Sequence, residues 1–282
     1  MLFRSKRLSV THSEKSGCVF FKRFLLLYGN SAIIVLVKQY NNIALQMNEG
    51  KGKMGELIKI EDVYKIYNPG ENEVHALDGI SLTIEEGEFV AIIGHSGSGK
   101  STFMNMLGCL DVPTSGKYYL QGKDVSALND NQLSDIRNRQ IGFIFQGFNL
   151  ISNIDALGNV ELPLIYRGVD RKTRREMARE ALEMVGLGER MHHKPAEMSG
   201  GQQQRTAVAR AIAAKPSIIL ADEPTGNLDS NSTKEIMGIL LKLHLSGRTV
   251  IVITHDPEIA EQAKRVIRIS DGKIEADYRN KE

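Results

Sequence analysis

Long apolar runs are scarce in this 282-residue chain. A membrane-spanning helix needs about 20 predominantly apolar residues, and the stretch that comes nearest, Phe24 to Val37, is broken by Gly29-Asn30-Ser31 and preceded by Lys22-Arg23. It is too short and too interrupted to be read as an anchor. The sequence Val35-Leu36-Val37-Lys38-Gln39 also lacks the small-residue cleavage site of a signal peptide. Cysteine is equally sparse. Cys18 and Cys109 stand far apart with neither metal spacing nor a C-x-x-C pair, which argues against a disulfide framework or a zinc site and fits a reducing cytoplasm. A net charge of only +2 makes no case for a nucleic-acid partner. What remains, 41% hydrophobic and 25% charged residues, is ordinary for a soluble globular protein. The length suits one large domain or two small ones.

Charge is unevenly divided. Residues 1–53 carry nine basic and two acidic side chains, whereas residues 54–282 carry 27 basic and 32 acidic. The first stretch is therefore expected to be a basic leader, disordered or placed before the true start, with a weak membrane-surface segment as another alternative. Glu49-Gly50-Lys51-Gly52-Lys53 must be encoded by purine-rich codons, which resemble a ribosome-binding site just ahead of Met54. The functional domain is expected to begin there, over residues 54–282, without internal repeats.

Gly94-His95-Ser96-Gly97-Ser98-Gly99-Lys100-Ser101 follows the apolar run Phe89 to Ile93 and precedes the helical stretch Thr102 to Leu107. Glycines of this spacing let backbone N–H groups turn inward on phosphate oxygens, Lys100 adds positive charge and Ser101 offers a hydroxyl to Mg²⁺. A plain turn is the other reading, but the strand–loop–helix setting favours phosphate. Far downstream, Ser217 to Ala221 is again continuously apolar and ends in Asp222-Glu223. Two acids could simply cap a strand in solvent. A strand covered on both faces, however, opens at its carboxyl end into a ligand crevice, where carboxylates serve metal-assisted attack by water.

Partial alternation over Leu57–Tyr67 and Ala76–Ile84 predicts antiparallel strands ahead of the phosphate loop. A short strand over Lys117–Gln121, a helix over Asp130–Arg137 and a strand over Ile141–Phe145 follow, then a helical block over about 150–215. Strands return at Ser217–Ala221, Thr249–Thr254 and Val266–Ile269. Within the block, Met198-Ser199-Gly200-Gly201-Gln202 precedes a helix. By itself it reads as an N-cap with two glycines, and more pointedly as a second anion site. Gln146, Asp229 and His255 end strands or adjoin the acids.

Taken in order, the Lys100 loop, Gln146, Ser199 to Gln202, Asp222-Glu223, Asp229 and His255 resemble the motif set of an ATP-binding cassette ATPase, over about residues 57–275. Gly108-Cys109-Leu110-Asp111, Arg137-Asn138, Gly142 to Gln146, Asn159 to Pro163 and Ala221 to Asp229 resemble the lipoprotein-releasing and macrolide-exporting subfamily. Met198 stands where that family usually has Leu, a swap that conserves apolar volume. The resemblance implies an α/β P-loop NTPase with a mainly parallel core sheet, an N-terminal antiparallel β subdomain and an inserted α-helical subdomain.

The resemblance also implies roles. Tyr67, equally readable as a strand aromatic, would stack on adenine. Gly94, His95, Ser96, Gly97, Ser98, Gly99, Lys100, Ser101 and Thr102 would hold the phosphates of ATP, with Ser101, Gln146 and Asp222 serving Mg²⁺. Glu223 would act as general base, Gln146 would reach toward metal and water, and His255 would contact the γ-phosphate. Ser199 and Gly201 would bind the γ-phosphate of the nucleotide held by a second copy, and Gln202 and Asp229 would belong to the nucleotide-binding set. The implied partners are that second copy and an integral membrane permease docked near Gln146 to Arg167, which places the chain at the cytoplasmic face of the membrane.

The load implied is a hydrophobic or amphipathic substrate, exported or extracted. A regulator of a wall hydrolase in a cell-division complex is the alternative, suggested by His95 and opposed by Asn159 to Pro163. A cassette acting on ribosomes or DNA would need two cassettes or a long coiled coil. A P-loop kinase would leave Ser199 to Gln202 and His255 unused.

Overall fold

A computed structural model describes residues 55–70 and 72–280. The basic leader, its apolar run, Cys18 and the candidate start Met54 lie outside the described residues. Strands β1 (Glu56–Tyr67) and β2 (Val74–Glu85) pair antiparallel, with Ile60 opposite Leu82 and Ile58 opposite Ile84. Strands β4 (Ser115–Leu120) and β5 (Lys123–Asp124) extend this sheet in the order β2-β1-β4-β5.

The second sheet has six strands: β3 (Phe89–Ile93), β6 (Ile141–Phe145), β7 (Ile218–Asp222), β8 (Thr249–Ile253), β9 (Arg265–Ser270) and β10 (Lys273–Arg279), ordered β10-β9-β3-β8-β7-β6. Every pairing is parallel except that of β10 with β9. Period-two side chains explain why its central strands are apolar without a break. Phe89, Ala91, Ile219, Ala221, Val250 and Val252 enter one core. Their neighbours Val90, Ile92, Ile218, Leu220, Ile251 and Ile253 enter the other.

Helix α1 (Lys100–Leu107) contributes Phe103, Met104, Met106 and Leu107 to the core shared with β1 and β2. The opposite core is covered by α3 (Ala156–Tyr166), α4 (Arg171–Met184), α5 (Gly200–Ala213) and α6 (Ser230–Leu245), with α2 (Asp130–Gln140) and the short α7 (Pro257–Ala260) completing the set described. Among the described residues no helix is long and apolar enough to cross a membrane.

Two strands were not expected from the sequence. The β9–β10 hairpin turns on Asp271 and Gly272, both at positive φ, which is the signature of an Asp-Gly type I′ turn. The signal was present, but β10 is a half-exposed edge strand with little apolar content. Strand β5 is only two residues long and carries no periodicity to read.

Candidate nucleotide site

Register determines which loops meet. Ile92 of β3 lies opposite Ile253 of β8, Ile253 opposite Asp222 of β7, and Asp222 opposite Phe145 of β6. Parallel strands send their carboxyl ends to the same edge. Beyond that row the chain therefore delivers, side by side, the Gly94 loop, His255, Glu223 and Gln146.

The loop from Gly94 enters α1 through Gly99, which sits at φ 101° as the helix N-cap. A side chain there would collide with the carbonyl of Ala76 as well as strain the backbone. No side chain caps α1, so its first amides face outward without a protein acceptor, the arrangement that suits an anion. Lys100 folds back over the loop, donating from Nζ to the Gly94 carbonyl at 2.8 Å and the His95 carbonyl at 2.7 Å. The β9–β10 turn braces the loop from behind, because Gly272 N–H donates to the Ser98 carbonyl at 3.0 Å. His95, Ser96 and Gly97 are exposed, whereas Ser98 is buried with its Oγ unpartnered. Ser101 and Thr102 occupy the exposed first turn and the partly buried flank of α1.

Tyr67 lies at the end of β1. Its hydroxyl donates to Asp111 Oδ2 at 2.9 Å, and the Lys65 ammonium stands 5.1 Å from its ring centroid. Burial and the Asp111 contact raise the Tyr67 phenol above its ordinary range. Asp111 itself is held below the usual carboxylate range, because hydrogen bonds from Lys65 and Tyr67 outweigh its burial.

Asp222, half-buried at the end of β7, has its carboxyl raised by burial and by the neighbouring Glu223 charge, with Lys100 pulling the other way. The Lys100 loop and the acidic strand end share one edge of the parallel sheet. Glu223 adopts φ 45°, a left-handed conformation that costs a non-glycine residue of order 1 kcal/mol or more. Its N–H is held by the Ile253 carbonyl at 2.8 Å. The carboxylate accepts from His255 Nδ1 at 2.7 Å, joining the ends of β7 and β8. Gln146 is exposed and packs over Gly226, where an added Cβ would come within 2.6 Å of its Nε2.

Ser199 makes the bonds of a capping box: its Oγ accepts from Gln202 N–H at 3.3 Å, and Gln202 Oε1 accepts from Ser199 N–H at 3.0 Å. The capping reading thus describes its contacts in the single chain. Gly201 is buried against Ser232. Asp229 caps α6, accepting from the N–H of Asn231 and Ser232 and from Ser232 Oγ at 2.7 Å. The serine-glycine turn and Asp229 therefore share Ser232 as a neighbour. Among the described residues, no hydrogen bond joins residues 199–202 to the Gly94–Thr102 loop.

Two further residues on α5, Gln204 and Arg210, reach this edge without forming a sequence motif. Gln204 is buried and donates to the Phe145 and Pro224 carbonyls. Arg210 donates to the Phe148 and Asn149 carbonyls. The available signal was a polar residue, Gln204, on the helix face that also carries Ala207, Val208 and Ala211.

No group of three or more His, Cys, Asp or Glu that could hold a metal exists among the described residues. A metal here would rest on oxygen from Asp222, the Ser101 hydroxyl, the Gln146 amide and the ligand's own phosphates. That donor set suits Mg²⁺, which commonly takes one or two carboxylates plus phosphate and water.

A family model described as ABC transporter matches residues 77–226. The chain is 56% identical over 226 residues to a macrolide export ATP-binding/permease protein of Hyphomonas neptunium, covering 80% of this chain and 35% of the other. It is 53% identical over 222 residues to an uncharacterized ABC transporter ATP-binding protein of Thermotoga maritima, covering 79% of this chain and 95% of the other. The chain thus spans about a third of the macrolide export relatives it matches. A solved dimeric ATP-binding cassette in a post-hydrolysis state, bound to ADP and Pi, superposes with TM-score 0.73 at 46% identity, over 80% of this chain and 99% of that one. With an uncapped glycine loop, a carboxylate pair and a histidine aligned on one sheet edge, the chain belongs to the ABC transporter family as one of its ATP-binding cassettes.

Proposed function

We propose that this cassette binds and hydrolyses ATP as the nucleotide-binding subunit of a transporter, working as a head-to-tail pair beneath a separate membrane permease at the cytoplasmic face of the membrane. The observation that carries it is that the Lys100 loop, Asp222, Glu223 and His255 all lie at the carboxyl edge of one parallel sheet, with His255 bonded to Glu223.

In this reading the amides of residues 97–102 and the Lys100 ammonium bind the phosphates, and Tyr67 stacks on adenine with the face that Lys65 leaves open. Ser101, Asp222 and Gln146 would hold Mg²⁺, which would supply charge neutralisation of the phosphates. Glu223 takes the proton of the attacking water, and His255 orients that carboxylate through Nδ1. Ser199, Gly201 and Gln202 complete the site of a partner copy, which accounts for a polar turn whose hydrogen bonds stay within its own helix in the single chain. Asp229, beside them through Ser232, places the turn. The names of the macrolide export relatives support export of a hydrophobic or amphipathic substrate over a cell-division role.

Steady-state ATPase assays on the purified protein with Mg²⁺ test the core of this reading. Lys100→Ala should abolish turnover and weaken nucleotide binding; an unchanged rate would refute the assignment of the loop.

A further inference from the structure

Gln204 is fully buried on α5, yet only half of its amide is used. Nε2 donates to the Pro224 carbonyl at 2.6 Å and to the Phe145 carbonyl at 3.3 Å. Oε1 is buried with no partner. An unpaired buried acceptor is costly, and an apolar side chain of similar length would fill the same space without that cost. The two N–H groups are therefore what this position supplies. The orientation of the amide is also settled, because the flipped rotamer would turn Oε1 onto two carbonyl oxygens.

The two acceptors have particular neighbours. Phe145 immediately precedes Gln146, and Pro224 immediately follows Glu223. Glu223 holds a left-handed backbone that needs support from its surroundings. Support on the amino side comes from the Ile253 carbonyl. On the carboxyl side Gly226 N–H donates to the Glu223 carbonyl at 3.1 Å, and the Gln204 bond to the Pro224 carbonyl ties that turn to α5. Arg210, two turns further along α5, holds the Phe148 and Asn149 carbonyls, and both of those residues are at positive φ. The helix that begins at Ser199 thus grips the Gln146 loop on both sides and the Glu223 turn on one.

We propose that Gln204 is a positioning residue for hydrolysis: its single amide sets Gln146 and Glu223 relative to each other and ties both to the helix that carries Ser199. A shift of α5 then moves the two water-handling side chains together. The proposal rests on the ATPase reading above and adds the part of α5 that acts through them.

The test compares Gln204→Met, which keeps volume and removes both donors, with Gln204→Asn, which keeps an amide but shortens its reach. Ile236→Val in α6 serves as a control for general loss of core packing. Both Gln204 variants should lower kcat by about tenfold or more while ATP affinity stays within about twofold, as expected for a lost buried hydrogen bond that acts only on the chemical step. Amide exchange at Gly226, whose N–H bonds the Glu223 carbonyl at 3.1 Å, should quicken in the same variants. Ile236→Val should leave kcat and Gly226 exchange unaltered. The proposal is overturned if the Gln204 variants keep wild-type kcat, or if their losses follow melting temperature along a common line with Ile236→Val. If Glu223→Gln hydrolyses ATP normally while Gly226 exchange still responds to Gln204, the catalytic reading fails and the positioning contact stands. A variant that does not fold leaves the outcome to be read from the other.

Discussion

His255 donates from Nδ1 to Glu223 Oε1 at 2.7 Å, linking the residues that follow two adjacent strands. The histidine is exposed and the glutamate half-buried, so the bond anchors the carboxylate from its open side.

Replacing Glu223 by Gln removes the proton acceptor and keeps the shape. ATP binding should survive, turnover should fall by about a hundredfold or more as expected for loss of a general base, and a nucleotide-bound dimer should accumulate. Size-exclusion chromatography with light scattering in saturating ATP is the check. A variant that stays monomeric contradicts the paired-site mechanism.

Ser199→Arg should stop hydrolysis and spare binding, since it puts a bulky cation where the turn meets a partner, while losing the α5 cap should cost about 1 kcal/mol of stability. Mixed with Lys100→Ala, each variant inactive alone, it should regain ATPase activity. One of the two composite sites in the mixed pair is then built wholly from native residues. No recovery on mixing would mean that sites are not shared between chains.

Asp222→Asn should raise the melting temperature of the nucleotide-free protein at neutral pH while impairing Mg²⁺-dependent hydrolysis. The sign follows from linkage. Burial and Glu223 raise the folded-state carboxyl above its unfolded value, so the ionised group opposes folding at neutral pH and that penalty disappears as acidification protonates it. The gain from Asn should therefore shrink as pH falls through the carboxylate range. Calorimetry at several pH values reads it directly, and a lower melting temperature for Asp222→Asn at pH 7 would contradict the account.

Gly99→Ala should destabilise the protein by about 1–3 kcal/mol and weaken nucleotide binding, because φ 101° disfavours a side chain and a Cβ meets the Ala76 carbonyl. Urea unfolding and nucleotide titration measure the two effects. Ala at Gly97, whose Cβ would meet nothing, carries the backbone penalty without the collision and should cost less.

The sequence by itself determined the chemistry of the loop and the layering of the sheet. Glycine spacing before Lys100 and five-residue apolar strands are local properties, set by backbone freedom and period-two burial. Either can be read wherever it occurs. The sequence could not supply the strand order that places β8 between β3 and β7, because β8 pairs with β3 across more than 150 residues of chain, Phe89 lying opposite Val250. Only the tertiary structure therefore decided that His255 meets Glu223, that Asp222 and the Lys100 loop share one sheet edge, and that Gln204 spans the residues next to Gln146 and Glu223. Such contacts depend on register between distant segments, and a linear pattern holds no record of them.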